Sequence, residues 1–261
     1  MCSSDLTVLV EGLRFPEGPR WHEGRLVLSD MHDARVLAVD PDGTVSTVVE
    51  VPEWPSGLGW DPDGHLLVVS PAHGTARDSS IHRSTRPYDI TEWERVDDAN
   101  RSYPQVWWLP GLERYLLLHT RYEEGRRTLR VASSPDGRDW TEPALFAAAE
   151  MGHYQVSARD PDGDRVGTAF DLHPDHGRPG TGLDWRTNLS YAETTDAGRT
   201  WRSAAGEPVT LPIVEALSPG LVRDFRAEGK SVYLKDLAFT PAGRPVILFL
   251  TATGFMPGPE G

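Results

Sequence analysis

The sequence has a single cysteine, Cys2, and only two lysines, Lys230 and Lys235. One cysteine excludes an internal disulfide framework. No apolar run approaches the roughly 18 residues that cross a bilayer, so we expect no membrane span, and no signal peptide is recognisable. The formal net charge is −13, and without a basic stripe to meet phosphates the chain is not expected to bind nucleic acid. Arginine carries nearly all the positive charge, so a local arginine pocket could still hold a carboxylate.

Turns are what the sequence has in quantity. It contains 25 glycines and 22 prolines, and the turn Asp-Pro-Asp-Gly occurs at 40–43, 61–64 and 160–163. Between the turns lie β-branched and aromatic-rich runs of strand length. These runs are Leu26–Ser29, Arg35–Val39, Val45–Val49, His65–Val69, Val106–Leu109, Tyr115–His119, Leu129–Ser133, Arg165–Leu172, Asn188–Thr194, Val232–Phe239 and Pro245–Thr251. Only Ala144–Met151 fits a helical turn, so the pattern predicts an all-β fold.

Two motifs indicate how the strands are organised. Thr194–Trp201 matches the Asp-box pattern S/T-x-D-x-G-x-T-W in full, and Ser133–Trp140 is a weaker copy with its aspartate displaced by one residue. In such a box the hydroxyl and the aspartate cap backbone amides of a tight hairpin, and glycine takes a backbone conformation that other residues resist. In proteins with this box, the tryptophan packs between the blades of a β-propeller. We therefore assign both boxes to folding rather than to catalysis.

Residues 71–261 resemble bacterial neuraminidase repeat proteins, which are sialidase-like Asp-box propellers. The stretches that carry this resemblance include Arg86–Trp93, Tyr103–Val106, Gly152–Ser157 and Val232–Leu237. The resemblance implies a β-propeller of four-stranded antiparallel blades. At about 40–60 residues per blade, the chain would supply roughly four to five blades, so we expect an incomplete propeller. The Phe-Arg-Ile-Pro signature of true sialidases is absent, so the fold does not imply that activity.

More distantly, the layout resembles ulvan lyases, which are propellers of the same repeat class. This resemblance implies a carbohydrate partner, an acidic polysaccharide, in the axial cleft. In those enzymes a histidine and a tyrosine act as acid and base on a uronic acid, and an arginine or histidine offsets its carboxylate. By motif context Tyr154 matches the tyrosine and His73 the histidine, while His173 or Arg186 would face the carboxylate. A nearby arginine or histidine would lower the pKa of the tyrosine enough for acid–base work.

The first seventy residues resemble a different family, the gluconolactonase (regucalcin-like) propellers. Gly12–Trp21 and Pro55–Trp60 carry this resemblance. It implies a central divalent metal, calcium or zinc, whose first ligand matches Glu17. The later ligands of that family stand in an Asn-Asp context, which neither Asn100 nor Asn188 provides. Because one ligand does not make a metal site, a cofactor is expected only if the lactonase interpretation holds.

The sequence thus divides into residues 1–6, 7–70 and 71–261. The first segment, MCSSDL, reads as a translated sequencing adapter, so we expect a fragment without its native N-terminus, and a secreted or periplasmic location stays open. The 70/71 boundary has two explanations: recombination between blades, or an assembly chimera, which the adapter-like start favours.

Three functions compete. The first is an Asp-box enzyme that acts on an acidic glycan as a lyase or a glycoside hydrolase. The second is a metal-dependent lactonase, and the third is a non-catalytic carbohydrate-binding propeller. The first leads because the Asp-box resemblance covers most of the chain.

Overall fold

The computed structural model describes residues 7–51, 55, 57–60, 62–70, 79–175 and 185–254. Within these residues the chain is all-β, with one short 3-10 helix at Met31–Asp33. The strands divide between two compact units, residues 1–100 and 101–261. Unit 1 contains β1 (Pro16–His22), β2 (Arg25–Asp30), β3 (Arg35–Val39), β4 (Val45–Glu50), β5 (Gly57–Trp60), β6 (Leu66–Ser70), β7 (Ser79–Arg86) and β8 (Asp89–Ala99). Unit 2 contains β9 (Ser102–Leu109), β10 (Arg114–Glu123), β11 (Arg126–Ser134), β12 (Ala144–Ala147), β13 (Gln155–Arg159), β14 (Val166–Leu172), β15 (Thr187–Thr194), β16 (Leu221–Arg223), β17 (Ser231–Phe239) and β18 (Pro245–Ala252).

Consecutive strands pair antiparallel into the blades of a β-propeller. Blade A is β1–β4, blade B is β5–β8, blade C is β9–β12 and blade D is β13–β16, each a four-stranded sheet in chain order. Blade E contains β17 and β18 among the described residues. Within each unit the first strands of neighbouring blades lie side by side, β1 by β5, β9 by β13 and β13 by β17. The predicted all-β propeller of four-stranded antiparallel blades is therefore confirmed. The predicted 70/71 boundary falls between β6 and β7, which pair within blade B, and it stays a prediction.

Hydrophobic faces between neighbouring blades form the core. In unit 2, Leu116, Leu129 and Phe146 of blade C pack with Phe170 and Trp201 of blade D in one buried cluster. A second cluster joins blade D to blade E, and a third joins blade A to blade B in unit 1. Burying both faces of a blade in this way is what fixes one blade against the next.

The full Asp box closes the hairpin that follows β15. The Thr194 hydroxyl accepts the Gly198 N–H at 3.0 Å, and Asp196 accepts both the N–H (2.9 Å) and the hydroxyl (2.6 Å) of Thr200. Gly198 has φ +85°, the left-handed conformation that favours glycine. Trp201 is 3% exposed and lies 4.7 Å, ring to ring, from Phe146 of the neighbouring blade. The predicted structural role of the box agrees with these contacts.

The second box lies at the equivalent hairpin of blade C, after β11. Here Ser134 accepts the Gly137 N–H at 2.9 Å, and Asp136 accepts the N–H of Asp139 at 2.8 Å. The Trp140 indole donates to the Gly137 carbonyl oxygen at 3.1 Å, as Trp201 does to Gly198 at 3.0 Å. The aspartate is therefore not displaced. Ser134 rather than Ser133 fills the first position, and the loop is one residue shorter between the aspartate and the glycine.

All eleven predicted strands are present, but the predicted helical turn is wrong. Ala144–Ala147 is β12, which pairs with β11 as the outer strand of blade C. Its Phe146 and Ala147 are buried between blades. Partners in the sheet, which local propensity does not encode, decide the conformation of so short a segment.

One end of unit 2 gathers strand termini from several blades. In blade C, Arg121 near the end of β10 pairs with Thr128 at the start of β11. In blade D, Leu172 at the end of β14 pairs with Thr187 at the start of β15. Because the strands alternate in direction, the first and third strands of these blades begin where the second strands end. We call this end of unit 2 the site edge.

Candidate functional site

The segment between β12 and β13 carries the motif Gly152–Ser157 across the site edge. Arg127 of blade C holds it through the main chain: the Arg127 N–H donates to the Met151 carbonyl at 3.0 Å, and the Arg127 carbonyl accepts the His153 N–H at 2.9 Å. Gly152, between them, has φ +100°, and a Cβ there would collide with the Arg127 carbonyl oxygen. Only glycine fits this crossing, which delivers Tyr154 to the start of β13.

Asp171, at the end of β14, is the residue around which this end of blade D is organised. It is 1% exposed. Its Oδ1 accepts the Tyr154 N–H at 2.8 Å and lies 3.5 Å from Nε2 of His173. Burial raises the pKa of the Asp171 carboxyl from 3.8 to about 7, against the opposing pull of Arg186 and Arg127. The buried carboxyl group therefore stays protonated up to a pH close to neutral.

His173 is fully buried beside this carboxyl. Its main chain is fixed on both sides, since its N–H donates to the Gly152 carbonyl at 2.8 Å and its carbonyl accepts the Met151 N–H at 3.1 Å. A side chain with no exposed surface cannot itself touch a glycan. Of the two residues predicted to face a substrate carboxylate, burial therefore favours Arg186 over His173.

Arg186 precedes β15, and its guanidinium lies between two aromatic rings. Its Cζ is 4.8 Å from the Tyr154 ring centroid and 4.3 Å from that of Tyr233. Within the described residues, Nε has no hydrogen-bond partner and the guanidinium forms no ion pair. Stacking uses the faces of a guanidinium and leaves its edge N–H groups for a planar acceptor such as a carboxylate. Arg186 is only partly buried, so such an acceptor can arrive from solvent.

A second arginine, Arg127, lies at the same edge. It is 8% exposed, and its Cζ is 5.2 Å from the ring centroid of Tyr122. Within the described part of the chain its Nε and Nη1 have no hydrogen-bond partner. Together with Arg186 it places two guanidinium groups at this edge, and both act electrostatically on Asp171.

Aromatic residues surround Tyr154. The Tyr103 ring meets it edge to face, with centroids 5.3 Å apart. Tyr103 has φ +52°, and Asn188, at the start of β15, has φ +56°. Left-handed backbone at a bulky residue costs about 1–3 kcal/mol and tends to accumulate where a site is held in place. A surface pocket of about 460 Å³ opens beside Arg127 at the β10–β11 turn, and its lining includes Glu123, Glu124, Arg126, Thr128 and Ala148.

Two other buried histidines, His153 before β13 and His119 within β10, are structural. His153 Nε2 accepts the Ala149 N–H at 3.0 Å, so Nδ1 carries the proton and donates to the Asp171 carbonyl at 2.6 Å. Burial lowers the pKa of His153 to about 4 and that of His119, which faces three arginines, to about 3. Both rings are neutral at physiological pH. With both its nitrogens engaged, His153 positions the loop and takes no part in proton transfer.

The predicted site residues have different outcomes. Tyr154, His173 and Arg186 all lie around Asp171. His73 lies outside the described residues, and its assignment stays a prediction. Glu17 is on β1 in unit 1, and burial raises the pKa of its half-buried carboxyl. No group of three or more metal-ligating side chains occurs among the described residues.

Sequence reasoning missed Asp171, Arg127 and two of the aromatic neighbours, Tyr103 and Tyr233. Asp171 had one usable signal, since it is the single carboxylate in the otherwise apolar or small run of β14. Arg127 had none, because nothing local separates it from the other arginines.

No helix in the described part of the chain is long and apolar enough to cross a membrane.

Comparison with known proteins follows the fold. Two structures of an ulvan lyase of the polysaccharide lyase PL25 family, one bound to -[GlcA(1-4)Rha3S]-, align with a TM-score of 0.73 at 15% identity. The alignment covers 92% of this chain and 66% of the lyase, so the chain spans slightly less than two thirds of that protein. A predicted gluconolactonase aligns with a TM-score of 0.45 at 18% identity, over 93% of this chain and 89% of that one.

At these identities the likeness to solved structures shows the fold alone. No curated protein sequence matches the chain. Residues 56–254 match the model of the BNR repeat-containing family. That match covers most of the chain and includes both Asp boxes and the whole site edge, so the protein belongs to the BNR repeat-containing family.

Proposed function

We propose that the protein binds an acidic glycan at the site edge of unit 2 and cleaves it as a lyase, next to a uronic acid. One observation carries the proposal. Arg186 is held between Tyr154 and Tyr233, forms no ion pair within the described residues, and is only partly buried. A guanidinium that is fixed beside a tyrosine and forms no ion pair is suited to bind a substrate carboxylate. The tyrosine can then act on the carbon next to that carboxylate.

The reaction is a β-elimination that these residues can support. The hydrogen on C5 of a uronic acid is acidic only when the adjacent carboxylate is neutralised, and Arg186 would supply that neutralisation. A base then takes the C5 proton, the C5–H electron pair becomes the C4–C5 double bond, and the C4–O4 bond breaks. An acid returns a proton to the departing O4. The ring of Tyr154 lies 4.8 Å from Arg186 Cζ, next to where the substrate carboxylate would bind, which makes its hydroxyl the candidate base or acid.

His173 and His73 take different places in the proposal. His173 is sealed from solvent and acts on the site through Asp171. His73 remains the histidine predicted from the sequence as the partner of Tyr154. The ulvan lyase named above supports the choice of an acidic glycan only as a structural neighbour.

The test is to incubate the protein with uronate-containing polysaccharides and to follow the ultraviolet absorbance of the unsaturated uronate product. Tyr154→Phe removes only the hydroxyl and should reduce turnover by about 100- to 10,000-fold while binding is retained. Tyr88→Phe is the matched control, because that ring is 74% exposed in unit 1. Full activity of Tyr154→Phe would exclude the assignment.

Other products would select other functions. New reducing ends without the double bond indicate a glycoside hydrolase. Binding without any product indicates a carbohydrate-binding propeller. Hydrolysis of a lactone that depends on calcium or zinc would support the lactonase interpretation.

A further inference from the structure

Asp171 is hydrogen-bonded to Tyr154 and His153 and lies beside His173. Its main chain pairs with Tyr154, since the Asp171 N–H donates to the Tyr154 carbonyl at 3.0 Å. Its side chain accepts the Tyr154 N–H at 2.8 Å. Its carbonyl accepts the proton of His153 at 2.6 Å, and its carboxyl lies 3.5 Å from His173. One residue thus fixes the backbone of the tyrosine and the ring of the buried histidine.

The charges around Asp171 are unbalanced. Arg186 and Arg127 both act on it electrostatically. Yet within the described residues its one ion-pair contact is with His173, and Oδ2 accepts no hydrogen bond. His153, whose ring donates to the Asp171 carbonyl, is neutral at physiological pH. If Asp171 ionised, its charge would compete with a bound carboxylate for the same two guanidinium groups.

We propose that Asp171 is the positioning residue of this site, and that it works in its protonated form. Its carboxyl group orients Tyr154 and His173, and its proton leaves Arg186 and Arg127 available to the substrate carboxylate. The inference rests on the proposed function, because it assigns Asp171 a role in that same site.

The experiment compares Asp171→Asn with the wild type in glycan cleavage between about pH 5 and 9. Asparagine keeps the oxygen that accepts the Tyr154 N–H and imitates the protonated acid. We expect wild-type kcat/KM to fall by about tenfold per pH unit once Asp171 ionises. The variant should lack this falling limb and retain acid-side activity within about tenfold.

Two further variants separate positioning from simple folding. Asp171→Ala removes the acceptor of the Tyr154 N–H and should lose activity at every pH. Asp162→Asn, at an exposed turn of blade D, should behave as the wild type. A falling limb that persists unchanged in Asp171→Asn would overturn the proposal, and so would equal losses in the Asn and Ala variants with native circular dichroism.

A readout without catalysis keeps the two proposals distinct. Carbon-13 NMR of the wild-type carboxyl groups should show one signal, absent from Asp171→Asn, that titrates near neutral pH. If the protein binds a uronate oligosaccharide but does not cleave it, the pH dependence of the Kd is compared between the wild type and Asp171→Asn instead. Loss of cleavage alone would then reject the lyase assignment and leave Asp171 as a positioning residue for binding. A carboxyl signal that titrates at an ordinary acidic pH would reject the role of Asp171.

Discussion

Asp171→Asn should change how the stability of the protein depends on pH. Folding raises the pKa of Asp171 from 3.8 to about 7. Between these values the unfolded chain has released a proton that the folded chain still holds, so the stability contributed by this group is complete below pH 3.8 and is lost as pH rises to about 7. Each pH unit is worth about 1.4 kcal/mol, so the whole interval corresponds to roughly 4 kcal/mol. Asparagine does not titrate and removes this term.

The assay is urea unfolding of both proteins at about pH 5 and pH 8. From about pH 5 to about pH 8, the free energy of unfolding of Asp171→Asn should rise by about 3 kcal/mol relative to that of the wild type. His153 and His119 act in the opposite direction, because burial lowers the pKa of each and their stability contribution is lost as pH falls. Both proteins carry these histidines, so the contributions of His153 and His119 cancel in the difference. A difference that stays constant within about 0.5 kcal/mol would refute the argument.

Three other substitutions test the site and the blades. Arg186→Gln should raise KM or Kd for a uronate glycan by about 10- to 100-fold, because it removes a charge-assisted contact; Arg199→Gln, exposed in an Asp box, is the control for titration calorimetry and should leave affinity unchanged. Trp201→Ala should cost about 3–5 kcal/mol in urea unfolding by emptying the interface of blades C and D, and a loss below about 1 kcal/mol would contradict that packing. Gly152→Ala should destabilise by more than about 2 kcal/mol through positive φ and collision with a main-chain carbonyl. Gly163→Ala, where a Cβ has open space, should be nearly neutral, and equal thermal shifts of the two would refute the crossing argument.

Sequence reasoning found strands with a clear hydrophobic pattern and missed several strands without one, such as β1, β7 and β8. The eleven predicted strands include the second and third strands of blades C and D, whose apolar side chains are buried between blades. The missed strands include β13, a first strand. Its Ser157 N–H donates to the Gln105 side chain of β9 at 2.5 Å. In β13 this polar contact crosses a blade boundary, and hydrophobic periodicity carries no trace of it.

The same limit of local sequence pattern explains which residues of the site could be predicted. Motif resemblance drew attention to Tyr154, His173 and Arg186, and all three lie around one buried carboxyl. The carboxyl itself escaped notice because a buried aspartate is recognisable only from its surroundings, which come from separate strands. The consequence is chemical. A histidine read alone as an acid or base is, at His153, a hydrogen-bonded support with both ring nitrogens engaged, whereas the group whose proton is held near neutral pH is Asp171. Acid–base work in this site should therefore be sought at Tyr154, with Asp171 and His173 as its buried supports, and the two arginines around Asp171 set which of its protonation states admits an acidic ligand.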